Sequence, residues 1–319
     1  MSTLVLTRSD VARHMEALTL LQALRDGFRE HSQRKVSPTR AHASLGEAGG
    51  ATVAFPGALE EIPAWSVAVH ASLPSGQVAP GSLIQLRDFK SGALLAVMDA
   101  GHLARIRTGL VSALGADVLA RQDAATVALV GAGEQASVFL KSLRLVRSLR
   151  QVRVWETKLV DAEWFARQTY EKLKVPTFSA ETIEEAVGDA DIVVTATASH
   201  VPFLYPGMLR PGTHVTALGG AEPGRLELSA PLIRQSTFFC DDRDLVVRSG
   251  ALAGLGMDAS VVAAELGEVL AGAHPGRRSD DEVTLFASAG LPFQDLAAAW
   301  AVYESAQHDE GITRVDFSA

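Results

Sequence analysis

A glycine-rich turn between a strand and a helix carries the most specific chemistry in this sequence. The apolar run Thr126–Val130 has the character of a buried strand and leads directly into Gly131-Ala-Gly133 and then Ala136. Gly131 allows a tight turn, Gly133 lets the backbone approach a pyrophosphate, and Ala136 keeps the following helix near the strand. The unpaired N–H groups at the start of that helix face the phosphates of a bound dinucleotide. The residues expected to bind it are Gly131, Gly133, Glu134, Gln135 and Ala136.

An acidic residue at the end of the next predicted strand, Val152–Trp155, narrows the choice of cofactor. Glu156 follows the glycines by about 20 residues, where a carboxylate accepts hydrogen bonds from the hydroxyls of the adenosine ribose. A carboxylate also repels the 2′-phosphate of NADP, so NAD(H) is the preferred cofactor. Arg153 and Lys158 lie close in sequence and leave NADP(H) as the alternative.

Small residues follow a third predicted strand, Ile192–Thr195. Thr195, Ala196 and Thr197 have the size that a nicotinamide or its ribose requires where it passes close to the backbone. We expect these three residues to contact the second half of the dinucleotide.

The elements that must position these residues alternate between strand and helix from residue 126 onward. The predicted strands are 126–130, 152–155, 192–195, 214–218 and 237–240, and the predicted helices are 135–146, 162–173 and 183–187. Such alternation indicates an α/β fold with a parallel sheet covered on both faces, which is the Rossmann arrangement. The polar stretch 272–281 is predicted as a surface loop.

The residues before position 126 show a different pattern of predicted helices and strands. Helical spacing of apolar residues predicts an amphipathic helix over 10–33, and 103–119 is a second predicted helix. Between them, glycine and proline separate short β-like runs at 51–55, 66–70, 82–87 and 93–98, which suggests an antiparallel or mixed sheet. A final predicted helix, 292–306, can belong to either part.

Composition excludes several classes of protein. With a net charge of -8 and no basic cluster, the sequence does not predict binding to nucleic acid or to an anionic membrane. We see no signal peptide and no apolar run of membrane-spanning length. The single cysteine, Cys240, fits a reducing cytoplasm and reads as a small core residue. We expect no metal site.

Several segments together resemble the ornithine cyclodeaminase and mu-crystallin family across nearly the whole chain. They are Pro38-Thr-Arg40, Met98-Asp99, Arg107-Thr-Gly-Leu-Val-Ser-Ala113, Val130-Gly-Ala-Gly-Glu-Gln135, Pro211-Gly-Thr-His-Val-Thr-Ala-Leu-Gly219, Glu222-Pro-Gly-Arg-Leu-Glu-Leu228 and Gly290-Leu-Pro-Phe-Gln-Asp295. The resemblance implies an α+β domain for substrate binding and dimerisation from 1–120 plus about 296–319. It implies a central Rossmann NAD-binding domain at 121–295, and a homodimer that forms through the sheet of the first domain.

The resemblance also implies a substrate class, because members of this family handle small amino acids and their imines. Arg40 and Arg107 match the family's two carboxylate-binding arginines, and a guanidinium pairs bidentately with a carboxylate. Arg107 begins the Arg-Thr-Gly run and is the firmer of the two matches. A solvated loop arginine is the alternative for Arg40.

Two departures from the family pattern concern the reaction itself. Ala68 stands where the family has a substrate-site lysine, and Ala221 stands where cyclodeaminases have a catalytic aspartate. Alanine exchanges no proton, so cyclodeamination is disfavoured. His70, on the same strand face as Ala68, and Glu222, one position after Ala221, are candidate replacements. A structural histidine and a solvated turn glutamate are the alternatives.

These residues favour an NAD(H)-dependent oxidoreductase that transfers hydride between the nicotinamide and the nitrogen-bearing carbon of a small amino acid or imine. Two alternatives stay open. One is cyclodeamination with release of ammonia in a rearranged site, and the other is a cofactor-bound ligand-binding protein with little turnover.

Overall fold

The computed structural model describes residues 2–34, 41–44, 51–72, 81–221 and 224–317. Within these ranges the strands are β1 Thr3–Leu6, β2 Ala41–Ser44, β3 Ala51–Ala58, β4 Ala64–Ser72, β5 Leu83–Asp88, β6 Leu94–Asp99, β7 Thr126–Val130, β8 Gln151–Trp155, β9 Thr177–Ser179, β10 Ile192–Thr195, β11 His214–Ala217, β12 Thr237–Cys240, β13 Val262–Glu265, β14 Thr284–Ala287 and β15 Thr313–Val315. The α-helices are α1 Arg8–His14, α2 Ala17–Arg34, α3 Ala100–Leu119, α4 Glu134–Leu143, α5 Leu159–Leu173, α6 Ile183–Val187, α7 Ala230–Gln235, α8 Arg243–Ser249, α9 Leu266–Leu270 and α10 Pro292–Ala306. Short 3₁₀ turns occur at Pro206–Met208, Gly219–Ala221, Ala253–Leu255 and Ala259–Val261.

The chain divides into two compact units, and the first is built from both ends of the sequence. Unit 1 comprises Met1–Thr108 and Leu291–Ala319, and unit 2 comprises Gly109–Gly290. The domain boundaries predicted from sequence lay later, at 120/121 and 295/296. Helix α3 accounts for the first difference, since its second half packs within unit 2. A Cβ on Gly115 would lie 2.5 Å from Phe286.

Unit 1 contains a mixed sheet. Its described strands follow the order β15-β1-β6-β5-β4-β3-β2, with β1 and β6 parallel and the other pairs antiparallel. Small buried residues on β4 (Ala64, Ser66 and Ala68) leave room for α10 to pack on this face of the sheet. At Gly57 of β3 a Cβ would lie 2.5 Å from the carbonyl oxygen of Pro292, so the first turn of α10 approaches the sheet closely.

The helix predicted over 10–33 is two helices, α1 and α2. The chain leaves the helical conformation at Met15, where φ is -91° and ψ is 101°. Glu16 then caps the second helix, because its carboxylate accepts hydrogen bonds from the backbone N–H groups of Leu18 and Thr19. The prediction was wrong here because the apolar spacing continues across the break.

Unit 2 contains a parallel sheet with the order β13-β12-β14-β11-β10-β7-β8-β9 in the described residues. Successive residues of its central strands point into two separate cores. Val127 and Leu129 pack in one core with α3, α4 and α5, and Ala128 and Val130 pack in the other with α6, α7 and α8. The sheet is therefore covered on both faces, as predicted. Strand order reverses between β7 and β10, and such a switch point is where α/β proteins bind ligands.

None of the helices in the part of the chain that the structure describes has the length and apolar character needed to span a membrane.

Candidate functional site

The turn after β7 requires glycine at position 131. Gly131 has φ of +106°, and a Cβ there would lie 2.5 Å from the carbonyl oxygen of Ala196. Its N–H donates to the carbonyl of Trp155 at 2.9 Å, and the N–H of Ala196 donates to Val130 at the same distance. The turn thus joins the ends of β7, β8 and β10 at the switch point.

Gly133 presents open backbone at the start of α4. A Cβ on Gly133 would meet no atom within 4 Å, and no side chain caps the helix. The first N–H groups of a helix carry partial positive charge and need acceptors. This combination fits the pyrophosphate of a dinucleotide.

Glu156 stands at the end of β8 as an ionised acceptor. Its Oε2 accepts from the backbone N–H of Ala132 at 2.9 Å, and its Oε1 accepts from the N–H and hydroxyl of Thr157. Partial burial opposes ionisation, but these hydrogen bonds outweigh it and lower the pKa of Glu156. A carboxylate offers about four acceptor positions, so capacity remains for ribose hydroxyls.

A cavity of about 520 Å³ lies at this edge of the sheet. It is lined by Gly131, Gly133, Trp155, Glu156, Thr157, Ile183, Ala196, Thr197, Ala198, Ser199 and Phe203. Five of the residues expected to bind the cofactor are therefore brought together: Gly131, Gly133, Glu156, Ala196 and Thr197.

The other expected cofactor residues have different surroundings. Glu134 is exposed and lines a neighbouring cleft between α4 and α5, and Gln135 is half-buried on α4. Ala136 is fully buried in the core beneath α4, which is the packing role expected of it. Thr195 is fully buried and does not line the cavity.

Arg153, which leaves NADP(H) open in the sequence, has other partners for its guanidinium. Its guanidinium donates to the carbonyl of Glu185 at 3.1 Å and lies 3.8 Å from Asp189. Lys158 is exposed at the start of α5.

A buried carboxylate, Glu227, underlies one wall of the cavity. Its Oε1 accepts from the N–H of Thr197 at 2.7 Å and from the hydroxyl of Thr197 at 2.8 Å. Its Oε2 accepts from the hydroxyl of Thr195 at 2.7 Å and from the N–H of Gly219 at 2.9 Å. Burial raises the pKa of Glu227 despite these hydrogen bonds.

In unit 1, the first turn of α10 holds the predicted carboxylate-binding arginine. Arg107 donates from Nε to Asp295 at 2.8 Å and from Nη1 to Gln294 at 2.9 Å. Both partners are buried, whereas the Arg107 side chain is 13% exposed. The two contacts fix the guanidinium, and among the described residues no hydrogen bond involves its Nη2.

His70 lies on β4 on the same face as Ala68, and it is half-buried. Burial lowers the pKa of His70, the Asp295 carboxylate opposes this, and the Arg107 guanidinium lowers the pKa further. His70 therefore belongs to the same cluster as Arg107. Ala68 is fully buried between its strand neighbours Phe55 and Ile84.

Arg40 and Glu222, which sequence reasoning also selected, lie outside the described residues. Ala221 ends the 3₁₀ turn that begins at Gly219. Across the described ranges, no three His, Cys, Asp or Glu side chains group as metal ligands.

Sequence reasoning missed Glu227 and Asp295 as parts of the two clusters. Both occur in segments that carry the family resemblance, Glu222–Leu228 and Gly290–Asp295, and that was the available signal.

Fold and site together define a dinucleotide-binding protein of the doubly wound α/β class. The chain belongs to the ornithine cyclodeaminase/mu-crystallin family, whose model matches residues 1–310. The resemblance seen in the sequence is thereby confirmed, as is the fold class of a Rossmann domain with a second domain.

Relatives of known activity match nearly the whole chain. A Delta(1)-pyrroline-2-carboxylate reductase of Bacillus cereus is 29% identical over 301 residues, covering 90% of this chain and 91% of that protein. The structure of an archaeal alanine dehydrogenase dimer with bound NAD has a TM-score of 0.91 at 28% identity, covering 99% of this chain and all of the other. The Thermococcus litoralis Delta(1)-pyrroline-2-carboxylate reductase, in complex with NADH and L-proline, has a TM-score of 0.89 at 30% identity and covers 98% of this chain and 100% of its own.

Proposed function

We propose that this protein is an NAD(H)-dependent oxidoreductase acting on a small amino acid or its imine. The observation that carries the proposal is the glycine turn at Gly131, which joins three strand ends beside the ionised carboxylate of Glu156. When bound, NAD(H) supplies hydride transfer to or from the carbon that bears nitrogen. Similar proteins that carry NAD or NADH include an alanine dehydrogenase and an imine reductase, and both support this assignment.

Arg107 supports a substrate that carries a carboxylate. The guanidinium is held in one orientation by Asp295 and Gln294, and a fixed guanidinium loses little freedom when it binds an anion. We propose that unit 1 binds the substrate through Arg107, with Arg40 as a second anchor. His70 is the candidate proton-transferring group in the same cluster, and Glu222 is a second candidate.

The residues at positions 68 and 221 favour hydride transfer over cyclodeamination. Loss of ammonia with ring closure needs a group that moves protons on the substrate, and neither alanine does so. An imine that arrives from solution already protonated needs chiefly orientation and hydride.

We further propose a homodimer in the cytoplasm. The outer face of β4 carries Trp65, Val67 and Val69, and beside it on β5 lies Leu83, which is 48% exposed, followed by Gln85 and Arg87. A largely apolar sheet face with polar residues at one side suits an isologous interface. The similar alanine dehydrogenase is a dimer. The single cysteine, buried at position 240, supports a reducing compartment.

A substrate panel tests the proposed function. NADH oxidation is followed with cyclic ketimines and with keto acids plus amines, NAD reduction with amino acids, and ammonia release with ornithine and lysine. We expect turnover of at least one imine or amino acid. Ammonia release from ornithine would instead establish cyclodeamination. Tight NADH binding without any turnover would establish a ligand-binding protein.

A matched pair of glycine variants ties that activity to the turn. Gly131→Ala places a Cβ against the Ala196 carbonyl, so NADH binding and turnover should both be lost. Gly272→Ala is the control, because Gly272 also has positive φ, at +78°, but faces open space. Equal NADH affinity in the two variants would contradict the assigned site.

A further inference from the structure

The carboxylate of Glu227 links two separate segments at the carboxyl ends of β10 and β11. One segment is Thr195–Thr197, and the other is the turn Gly219–Ala221. Four donors converge on the two oxygens, and the residue is 2% exposed. A carboxylate with this degree of burial is costly unless its hydrogen bonds are complete.

We propose that Glu227 is a positioning residue that shapes the wall receiving the nicotinamide half of the cofactor. The proposal rests on the proposed function, since it presumes that NAD(H) binds at the switch point. In a doubly wound sheet the first three strands receive the adenosine half, and the strands beyond the switch point receive the other half. Glu227 acts on the latter through Thr197, which follows β10, and through Gly219, which follows β11.

The donor pattern makes the wall sensitive to a change of a single atom in residue 227. Each carboxylate oxygen accepts one backbone N–H and one threonine hydroxyl. The hydroxyls can rotate to accept a hydrogen bond, but the N–H groups of Thr197 and Gly219 can only donate. A glutamine would therefore place its NH₂ group against a backbone N–H in either orientation. A protonated glutamate would keep an acceptor lone pair on each oxygen.

The local sequence leaves space for this contact. A Cβ on Gly219 would lie 2.4 Å from Oε1 of Glu227 and 2.4 Å from the carbonyl oxygen of Thr197. Glycine at 219 thus allows both segments to approach the carboxylate. Thr195 is fully buried, and the described contact of its hydroxyl is with Glu227. Its influence on the cofactor is therefore indirect.

The test compares the affinity for NADH with the affinity for ADP-ribose, which contains only the adenosine half, the pyrophosphate and the second ribose of the cofactor. In Glu227→Gln, NADH affinity and kcat should each fall by about tenfold or more, because a buried donor loses its acceptor. ADP-ribose lacks the nicotinamide and should bind within about twofold of wild type, since Gly131 and Glu156 are unchanged. Both affinities are measured by fluorescence titration and competition, and kcat with the substrate identified by the panel.

Asp191→Asn is the matched control. Asp191 is a buried carboxylate that precedes β10 rather than following it, and it accepts from backbone N–H groups and a hydroxyl at the start of β7. It differs from Glu227 in that it also pairs with Arg121 and Arg210. Its loss should lower the thermal midpoint while NADH and ADP-ribose affinities of the folded protein stay at wild-type values. If Glu227→Gln does not fold, Thr195→Val removes one donor from the carboxylate and should weaken NADH relative to ADP-ribose in the same direction.

Two results would overturn the inference. In the first, Glu227→Gln or Thr195→Val weakens NADH and ADP-ribose equally, which indicates a general structural role. In the second, neither affinity nor kcat changes. Failure of the wild-type protein to bind NADH would overturn the proposed function itself, so the two failures are distinguishable.

Discussion

Glu156 and Glu227 are two carboxylates in unit 2 with opposite electrostatic environments. Glu156 is half-buried with a lowered pKa, and Glu227 is buried with a raised pKa. Hydrogen bonds prevail over burial at Glu156, and burial prevails at Glu227. An ionised acceptor at the cavity edge suits contact with a ligand. A buried carboxylate such as Glu227, with donors on both oxygens, suits the organisation of the surrounding backbone.

Replacing Glu156 with alanine should change cofactor selection. The variant loses the ribose acceptor and the repulsion of a 2′-phosphate, so NAD(H) affinity should fall about tenfold while NADP(H) affinity rises or holds. Titration with both cofactors measures this. Glu163→Ala, an exposed glutamate on α5, is the control and should leave both affinities unchanged. Unchanged NAD affinity in Glu156→Ala would reject the ribose contact.

The residues that sequence reasoning found and missed differ in the sequence distance of their contacts. Gly131, Gly133 and Glu156 belong to one local strand–turn–helix–strand pattern, so their roles can be predicted from spacing. The partner of Thr195 is Glu227, 32 positions away, and the partner of Arg107 is Asp295, 188 positions away. Local periodicity in the sequence cannot indicate contacts between residues so far apart along the chain. Thr195 was predicted as a cofactor contact, and the structure adds that its hydroxyl donates to Glu227.

At the scale of elements, the end of α3 takes its capping groups from elsewhere in unit 2. Its last turn contains no basic residue. Arg147 donates at 2.7 Å to the carbonyl of Asp117 in the last turn and at 2.7 Å to that of Arg121, two residues after the helix, and Arg277 donates to the carbonyl of Leu119 at 2.9 Å. Cations at a helix C-terminus satisfy its last carbonyls and oppose its dipole.

Removing Arg147 should destabilise unit 2 measurably. The Arg147 side chain is 6% exposed, so Arg147→Ala leaves two carbonyls without charged donors and costs about 2 kcal/mol. A thermal midpoint lower by about 5 °C is the expected result in calorimetry. Arg153→Ala is the control, because its contacts are more exposed and its loss should shift the midpoint by about 1 °C. Equal shifts would show that capping of α3 contributes nothing.

Element boundaries show where pattern reasoning fails. The apolar spacing runs through Met15, so the sequence pattern does not indicate the break between α1 and α2. The break is evident only in the structure, where the Glu16 carboxylate caps the N-terminus of α2. Strand β14 is a central strand of four buried residues, too short for periodicity to indicate, and it was not predicted. Helix α10 was predicted with the observed bounds, but its membership of unit 1 depends on long-range packing.

At the scale of the whole molecule, a buried histidine makes the free energy of unfolding depend on pH. His214 is fully buried, with Nδ1 2.9 Å from the hydroxyl of Thr284 and Nε2 3.0 Å from that of Thr216. The Thr284 hydroxyl donates to Leu119, so Nδ1 must carry the proton of a neutral ring. Burial, followed by the charges of Arg277 and Arg147, lowers the pKa of His214 to about 3.

Acid should therefore weaken the fold before carboxylates titrate. The unfolded imidazole takes up a proton near pH 6.5 and the folded one does not, so its contribution is complete above pH 6.5 and is lost as the pH falls toward 3. The loss from this group is about 1.4 kcal/mol per pH unit. Urea unfolding of wild type and His214→Asn at pH 7 and pH 5 measures it. Parallel pH dependence in both proteins would contradict the role assigned to His214.

The pairing of β1 with β15 has a consequence for the order in which the chain is synthesised. All of unit 2 leaves the ribosome before Thr313–Val315, whose partner strand Thr3–Leu6 precedes unit 2 in the chain. Unit 2 can therefore fold during translation, whereas the pairing of β1 with the edge strand β15 must wait until Thr313–Val315 has been made. Loop-closure entropy over such a separation slows that step. A release of nascent chains before residue 313 should yield a folded unit 2 on an unfinished unit 1.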